Sequence, residues 1–291
     1  MCYLTRQSRL AGRSNRRLMM LAPVGARTGF VNTQVDPERH AHFLTQLQIL
    51  RGLVYVQGAF LAAQDLRNGR HHVAADRQSW HLLSLDEHDR LCGCIRFTQH
   101  HNEVSYSQLA VSHSAIARCS DWSDTLQSGI EDELALARRA DLSFVEVGGW
   151  ALAEDARGTS EATRMALATF ALSQLIGGAV GITTARERGS APILRKIGGR
   201  ALNALPPYHE PMYRCQIEIL RFYSWDPNPR FKGWIEDLKG ELQGVTVLTS
   251  GPQAYGMAAA AGGAAVCTAR EGEGGGSVRA IGIDQGIQPF A

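Results

Sequence analysis

The sequence predicts an α/β (α+β) fold in which helices cover both faces of one mixed central sheet. Apolar runs at 142–152 and 180–184 enclose an Ala- and Leu-rich helical stretch at 161–175. This order is typical of two parallel strands joined by a crossover helix. Apolar runs at 80–85 and 91–98 are joined by a short polar turn and predict an antiparallel hairpin. A parallel pair and a hairpin in one chain indicate a mixed sheet.

The remaining elements follow from the spacing of apolar residues. At 37–66, apolar side chains recur at helical steps and predict a helix. Acidic residues near the start and one apolar face predict a second helix at 126–140. A short helix is expected at 191–197, before two glycines, and alternating apolar residues predict a last strand at 212–222.

The two ends differ in composition from the middle of the chain. Residues 1–36 contain six arginines and no acidic residue before Asp36, which predicts a basic flexible arm. An anion-binding arm and an organelle transit peptide are the alternatives for this segment. Residues 251–291 are rich in alanine and glycine and predict a disordered tail.

Between these ends we expect one domain and a short extension. Residues 37–225 carry the predicted elements and form the domain. The breaker cluster Asp226-Pro227-Asn228-Pro229 closes it. Residues 226–250 form the extension, in which 231–242 has the pattern of one amphipathic helix.

The spacing of cysteines and histidines argues against a metal or redox site, and the lack of long apolar runs argues against a membrane span. Cys92 and Cys94 are two apart, which is the wrong spacing for a zinc or redox pair, and the histidines lack metal-ligand spacing. We therefore expect no metal and no permanently bound cofactor. No apolar run is long enough to cross a bilayer and no secretory segment is evident, so we expect reduced thiols in the cytoplasm. No aromatic-plus-basic strand motif supports a nucleic-acid partner.

The junction after the strand at 142–152 is a candidate phosphate site. It reads Arg157-Gly158-Thr159-Ser160-Glu161-Ala162 and leads into a helix. Unpaired N–H groups at a helix start carry partial positive charge and bind phosphate, and small residues let a phosphate approach the backbone. The predicted phosphate ligands are Arg157, Gly158, Thr159, Ser160 and Ala162. An ordinary strand-to-helix turn capped by Thr or Ser is the alternative.

This loop resembles the Arg/Gln-x-x-Gly-x-Gly/Ala loop of the GNAT acyltransferase superfamily, with Ser160 in place of the central glycine. Further segments are similar, in the same order, to those of acyl-homoserine-lactone synthases and N-acyl amino acid synthases. They are Leu50-Arg51-Gly52-Leu53-Val54-Tyr55-Val56, Asp76, Gly93-Cys94-Ile95-Arg96-Phe97 and Glu146. Gly149 stands where the Glu-x-x-Arg motif has arginine, which argues against a homoserine-lactone synthase and favours the N-acyl amino acid synthase group.

The resemblance implies a GNAT fold whose strands splay at the acyl-carrier site, and an N-acyltransferase activity. A long-chain acyl group would move from an acyl carrier protein or acyl-CoA onto the amine of an amino acid or related small molecule. Glu146 would accept the amine proton, directly or through a water, and backbone N–H groups around Leu152 would stabilise the oxyanion. The acceptor would contact Arg51, Asp76, Arg96 and Trp150, because a guanidinium binds a carboxylate in a bidentate fork.

Several alternatives stay open. Arg51 could be a surface residue, and Arg96 with Glu146 could be a structural ion pair between neighbouring strands. The chain could instead be an acetyl-CoA-dependent N-acetyltransferase, or an inactive module that binds acyl thioesters. A basic cluster would steer an acidic carrier protein towards the site. Its members are Arg186, Arg188, Arg195, Lys196 and Arg200.

Overall fold

A computed structural model describes residues 15–203 and 205–251. Within this range the strands are β1 (Arg17–Leu21), β2 (Thr33–Val35), β3 (Trp80–Leu85), β4 (Leu91–His100), β5 (Ser143–Leu152), β6 (Ala179–Arg186), β7 (Arg200–Ala201), β8 (Tyr208–Glu210), β9 (Cys215–Tyr223) and β10 (Val247–Thr249). The helices are α1 (Pro37–Gln57), α2 (Ser123–Ala140), α3 (Glu161–Leu175), α4 (Ser190–Ile197) and α5 (Lys232–Gly244). No helix of these residues is long and apolar enough to cross a membrane.

The strands form one mixed sheet, as the sequence predicts. Their order is β2-β10-β1-β3-β4-β5-β6-β9-β7, and β8 also pairs with β9. Strands β3 and β4 run antiparallel to both of their neighbours, whereas β5 and β6 are parallel. The crossover between β5 and β6 contains α3, as expected for a parallel pair.

Helices cover both faces of the sheet, because side chains along a strand alternate between faces. Val145 and Val147 pack in one core cluster with residues of α3, α4 and α5. Phe144 packs in a second cluster with residues of α2. Helix α1 lies on the same face as α2, over β4 and β5. We call these the α3/α4 face and the α1/α2 face.

The predicted elements are confirmed between residues 80 and 200, with ends that differ by a few residues. The helix at 161–175 has the bounds of α3. The helix expected at 37–66 is wrong beyond Gln57, because Gly58 ends α1 and its N–H bonds back to the carbonyl of Val54. The strand expected at 212–222 begins at Cys215, after a turn.

The basic flexible arm at 1–36 is wrong for two segments. Strand β1 lies inside the sheet between β3 and β10, and β2 pairs with β10. The reason is the apolar run from Leu18 to Leu21, whose residues are buried. Charge does not prevent burial there, because Arg16 pairs with Asp155 and Arg17 with Asp89 at the ends of the run. Residues 1–14 lie outside the described residues.

Residues 226–250 belong to the domain and are not an extension. The amphipathic helix is confirmed as α5, which packs on α3. Strand β10 enters the sheet between β1 and β2, so the domain does not end at residue 225. Of the predicted disordered tail at 251–291, residues 252–291 lie outside the described residues.

A buried polar network ties α5 and α3 to the sheet. The Glu161 carboxylate, with no exposed surface, accepts hydrogen bonds from Ser84 Oγ at 2.6 Å and Arg164 Nη1 at 3.0 Å. Arg164 also bonds to Glu241 on α5. The first turn of α3, next to the candidate phosphate loop, is therefore fixed from β3 and from α5.

We predict that Arg164→Met lowers the free energy of unfolding by about 3 kcal/mol, because it leaves the buried Glu161 charge without its cation. Urea unfolding measures the loss. The control is Lys239→Met, which removes an exposed pair with Glu236 on α5 and should cost less than about 1 kcal/mol. Equal losses for the two variants would contradict the network.

Candidate functional site

Strands β5 and β6 separate within the sheet, as predicted. Their pairing runs from Ser143 opposite Ala179 to Val147 opposite Thr183 and then stops. Beyond that point β6 continues along β9 and β5 continues along β4. A gap therefore opens on the carboxyl side of Val147 and Thr183.

A β-bulge bends β5 at this gap. Arg96 of β4 pairs with Gly148 and Cys94 pairs with Ala151, so one residue of β4 faces two of β5, Gly149 and Trp150. Gly149 has φ +59°, in the left-handed region that favours glycine. A Cβ here would also lie 2.9 Å from Arg51 Nη1. Both facts explain why position 149 favours glycine.

A cavity of about 300 Å³ fills the gap and passes through the sheet. On the α3/α4 face it is lined by Trp150, Leu152, Ala162, Ile193 and Leu194. On the α1/α2 face it is lined by Val54, Tyr55, Phe60, Tyr213 and Ile217. Most of these side chains are apolar, which suits the arm and chain of an acyl thioester.

The predicted phosphate loop forms one rim of this cavity. Arg157, Gly158 and Ala162 line it, and Gly158 has φ +73°. Thr159, and not Ser160, caps α3: its Oγ1 accepts the Glu161 N–H at 3.1 Å. Arg157 joins the rim to the strand end by donating to the Leu152 carbonyl at 3.0 Å. The start of α3 therefore lies where a phosphate at the cavity mouth would meet its dipole.

A second, smaller pocket of about 40 Å³ lies on the α1/α2 face. Its charged lining consists of Arg96, Glu146 and Glu210. It shares a wall with the large cavity, made of Val147, Gly148, Thr183, Thr184, Tyr213 and Ile217. Two molecules, one in the large cavity and one in the small pocket, would therefore meet at the gap in the sheet.

Glu146 faces the small pocket but is already held by three donors. Its carboxylate accepts hydrogen bonds from His100 Nε2 at 2.9 Å, the Ala110 N–H at 3.0 Å and the Val111 N–H at 3.1 Å. The ion pair that the structure gives to Arg96 is with Asp76, at 3.8 Å. Glu146 thus fixes the segment that covers the small pocket as well as lining it.

Arg51 and Asp76 line neither of these two spaces, so their predicted contact with the substrate stays a prediction. Arg51 has 0% exposed surface and donates to both Asp76 oxygens, at 2.8 and 2.5 Å. Burial alone would raise the pKa of Asp76, but the charge and hydrogen bonds of Arg51 hold it well below its usual value. Arg51 is therefore a buried structural cation whose partner also contacts Arg96.

Arg96 lines the small pocket and Trp150 lines the large cavity, and their binding of substrate stays a prediction. Arg96 is 3% exposed, and burial together with the charge of Arg51 lowers its pKa. Trp150 lies in the wall of the large cavity.

Leu152, near which the oxyanion donors are predicted, lines the large cavity but lies beyond the start of the gap on β5. Leu152 pairs with Gly93 on β4, and its carbonyl is bonded to Arg157. The gap opens at Val147, five residues earlier in the chain. The backbone that borders the gap is that of residues 148–150.

Tyr213 is a site residue that the sequence analysis missed. It is 7% exposed, lies in the turn before β9 and belongs to the wall that both spaces share. Its ring packs with those of Tyr55 and His71, and its hydroxyl lies 3.4 Å from His71 Nε2. Burial raises its pKa well above the usual value, so the phenol stays protonated. A single tyrosine in an apolar run gives no sequence signal for this position.

The basic cluster is partly neutralised. Arg195 pairs with Glu218 at 2.5 Å and Arg200 pairs with Asp226 at 2.6 Å. Arg186 lies at the large cavity, with its guanidinium carbon 4.1 Å from the centre of the Phe60 ring. The long-range field towards an acidic partner is therefore weaker than the sequence suggests.

No family model and no curated protein sequence matches the chain. Several solved structures do. The CoA-dependent acyl-homoserine lactone synthase BjaI, solved with SAM and isopentyl-CoA, has a TM-score of 0.52 at 14% identity over 82% of this chain and 95% of that one. The CoA-dependent synthase MesI has 0.47 at 11% identity over 77% and 95%. FeeM, an N-acyl amino acid synthase from uncultured soil microbes, has 0.44 at 11% identity over 72% and 92%.

The likeness to BjaI shows the fold. The chain has the GNAT-like acyltransferase fold that its sequence motifs imply, with the splayed strands in the expected place.

We predict that His81 makes stability depend on pH. Burial lowers the pKa of His81 to about 4, below the roughly 6.5 of an unfolded chain. Between these values the unfolded state binds more protons, so stability falls by about 1.4 kcal/mol per pH unit as pH decreases. Urea unfolding at pH 7, 6 and 5 should show this slope reduced in His81→Gln. His88→Gln, which alters an exposed histidine, should keep the wild-type slope.

Proposed function

We propose that this protein is an N-acyltransferase that moves an acyl group from a thioester onto the amine of an amino acid or a related small molecule. One observation carries the proposal: a cavity through the splayed strands shares a wall with a charged pocket on the α1/α2 face. A thioester and an amine can therefore enter from opposite faces and react at the gap.

Acyl-CoA is the donor that the observations favour. The rim at Arg157–Ala162 brings the start of α3 to the cavity mouth, where a phosphate of the carrier would bind. BjaI, which has this fold, was solved with isopentyl-CoA. An acyl carrier protein, which presents the same pantetheine arm, is the alternative donor. The pairing of Arg195 and Arg200 with carboxylates weakens the case for it.

The small pocket suits an acceptor that carries both an amine and a carboxylate. Arg96 supplies the guanidinium of this pocket and is positioned by its ion pair with Asp76. This guanidinium would bind the carboxylate of the acceptor. Glu146 and Glu210 would lie near the amine. The pocket therefore favours an amino acid over a simple amine.

The reaction is a direct transfer. The amine must lose a proton before its nitrogen can attack the thioester carbonyl, and Glu146 would take that proton directly or through a water. Backbone N–H groups at 148–150 would stabilise the oxyanion that forms. When the C–S bond breaks, the sulfur leaves with the electron pair and needs a proton.

Tyr213 would supply that proton. Burial lowers the pKa of His71 to about 3, so the imidazole is neutral. Its Nδ1 has no partner among the described residues, which favours the tautomer with the proton on Nε2. His71 then donates to the Tyr213 oxygen at 3.4 Å and leaves the phenol hydrogen free to point into the cavity. The same N–H would stabilise the phenolate after transfer.

An inactive module that binds acyl thioesters is the second candidate. The observation in its favour is that three donors already occupy the Glu146 carboxylate, which limits its capacity as a base.

We predict N-acyl amino acid formation from a panel of acetyl, hexanoyl and dodecanoyl thioesters of CoA and of acyl carrier protein, measured by mass spectrometry. Amino-acid amides should have a kcat/KM at least about tenfold lower, because the Arg96 contact is lost. Equal kcat/KM for amino acids and their amides would contradict a carboxylate site at Arg96. A preference for acetyl-CoA would favour an N-acetyltransferase, and CoA binding without product would favour the inactive module.

We predict that Tyr213→Phe lowers kcat about 10²-fold with acyl-pantetheine, whose thiolate is a poor leaving group. The same variant should react at nearly the wild-type rate with an acyl thioester of 4-nitrothiophenol, because that thiolate leaves without a proton. Tyr208→Phe, which alters another tyrosine of the small pocket, is the control and should show no such dependence on the leaving group. If Tyr213→Phe lowers kcat equally with both thioesters, Tyr213 contributes to packing and does not donate the proton.

A further inference from the structure

The indole nitrogen of Trp150 is a buried donor in the wall of the large cavity. Trp150 lines that cavity, and its Nε1 has no acceptor among the described residues. Buried indole N–H groups usually have an acceptor, since leaving one unpaired forfeits its bond to water. Phenylalanine would fill an apolar wall without this penalty, so the N–H requires a partner that residues 15–203 and 205–251 do not supply.

The position of Trp150 indicates which part of a ligand supplies the acceptor. Trp150 and Leu152 pack in the core cluster of the α3/α4 face. Ala162, at the start of α3, lines the same end of the cavity. Along β5, Trp150 lies between Val147 at the gap and Leu152, whose carbonyl is bonded to Arg157 of the rim.

This inference rests on the proposed function. If the carrier phosphate lies at the rim and the thioester carbon at the gap, the segment between them passes Trp150. That segment is the pantetheine arm, whose polar groups include two amide carbonyls. We infer that Trp150 Nε1–H donates a hydrogen bond to a carbonyl oxygen of the bound thioester, and that this bond positions the thioester at the gap.

Two carbonyl sources share this chemistry, an amide of the arm and an oxo group on the acyl chain. The location of Trp150 on the α3/α4 face favours the arm. Either source makes Trp150 a positioning residue, because it touches the ligand away from the bond that breaks.

The test compares wild type with Trp150→Phe on thioesters of a saturated acyl chain and of its 3-oxo analogue. Each chain is attached to pantetheine, to N-acetylcysteamine or to ethanethiol. The variant should lower kcat/KM about tenfold for acyl-pantetheine and leave the S-ethyl thioester unchanged, because the latter has no amide. A loss with N-acetylcysteamine assigns the amide nearest to sulfur. A loss confined to 3-oxoacyl chains on any thiol assigns the acyl oxygen. Equal kcat/KM for variant and wild type on every thioester overturns the inference.

Two controls separate this role from packing and from the proposed function. Trp122→Phe alters a tryptophan that is 37% exposed and should leave kcat/KM unchanged for every thioester. Trp150→Phe should keep the wild-type unfolding free energy, since it removes an unpaired donor. Calorimetry with CoA adds a readout without turnover, in which the variant should bind about tenfold more weakly. If wild type transfers no acyl group but this difference in binding holds, the proposed function fails and the Trp150 contact stands. If wild type neither reacts nor binds CoA, both fail.

Discussion

The end of hydrogen bonding between β5 and β6 is the constraint on which the rest of the site depends. After Val147 and Thr183 each strand keeps only its outer neighbour, β4 or β9. A gap in the middle of a sheet would normally collapse, since unpaired backbone groups need partners. Here the bulge at Gly149 bends β5, and side chains from both faces line the opening. The cavity, the start of α3 and Tyr213 all take their positions from this separation.

Behind the gap, one buried charge cluster sets the geometry of the small pocket. Arg51 donates to Asp76 and to the carbonyl of His71, and it fixes the carboxylate that Arg96 contacts. The approach of Arg51 to Gly149 excludes any larger side chain at the bulge. Arg51, which the sequence suggested as a substrate ligand, therefore supports Arg96 through their shared partner Asp76. The bulge and the charge cluster restrict each other, so a change in either moves both.

The spacing of apolar and turn residues predicted the central elements of the fold. The elements that it did not predict depend on pairing between distant parts of the chain. Helix α3 and strands β3 to β6 follow from periodicity and turn residues alone. Strand β1 was missed because the arginines around it suggested an arm, whereas its burial depends on β10 from the other end of the chain. Within the site, charge in an apolar strand singled out Arg96 and Glu146, and both line the small pocket. The same signal could not separate Arg51 from them, because burial behind a pocket and burial in its wall look alike in sequence.

Strand β10 also gives the molecule an order of assembly. It lies between β1 and β2, parallel to both, so the last described strand joins two of the first. During synthesis on the ribosome, β1 can pair with β3 early, but its other edge has no partner until β10 emerges. An unpaired edge on a nascent chain is a template for another strand and a target for chaperones. The nascent chain is therefore most prone to mispairing in the time between the synthesis of β1 and the synthesis of β10.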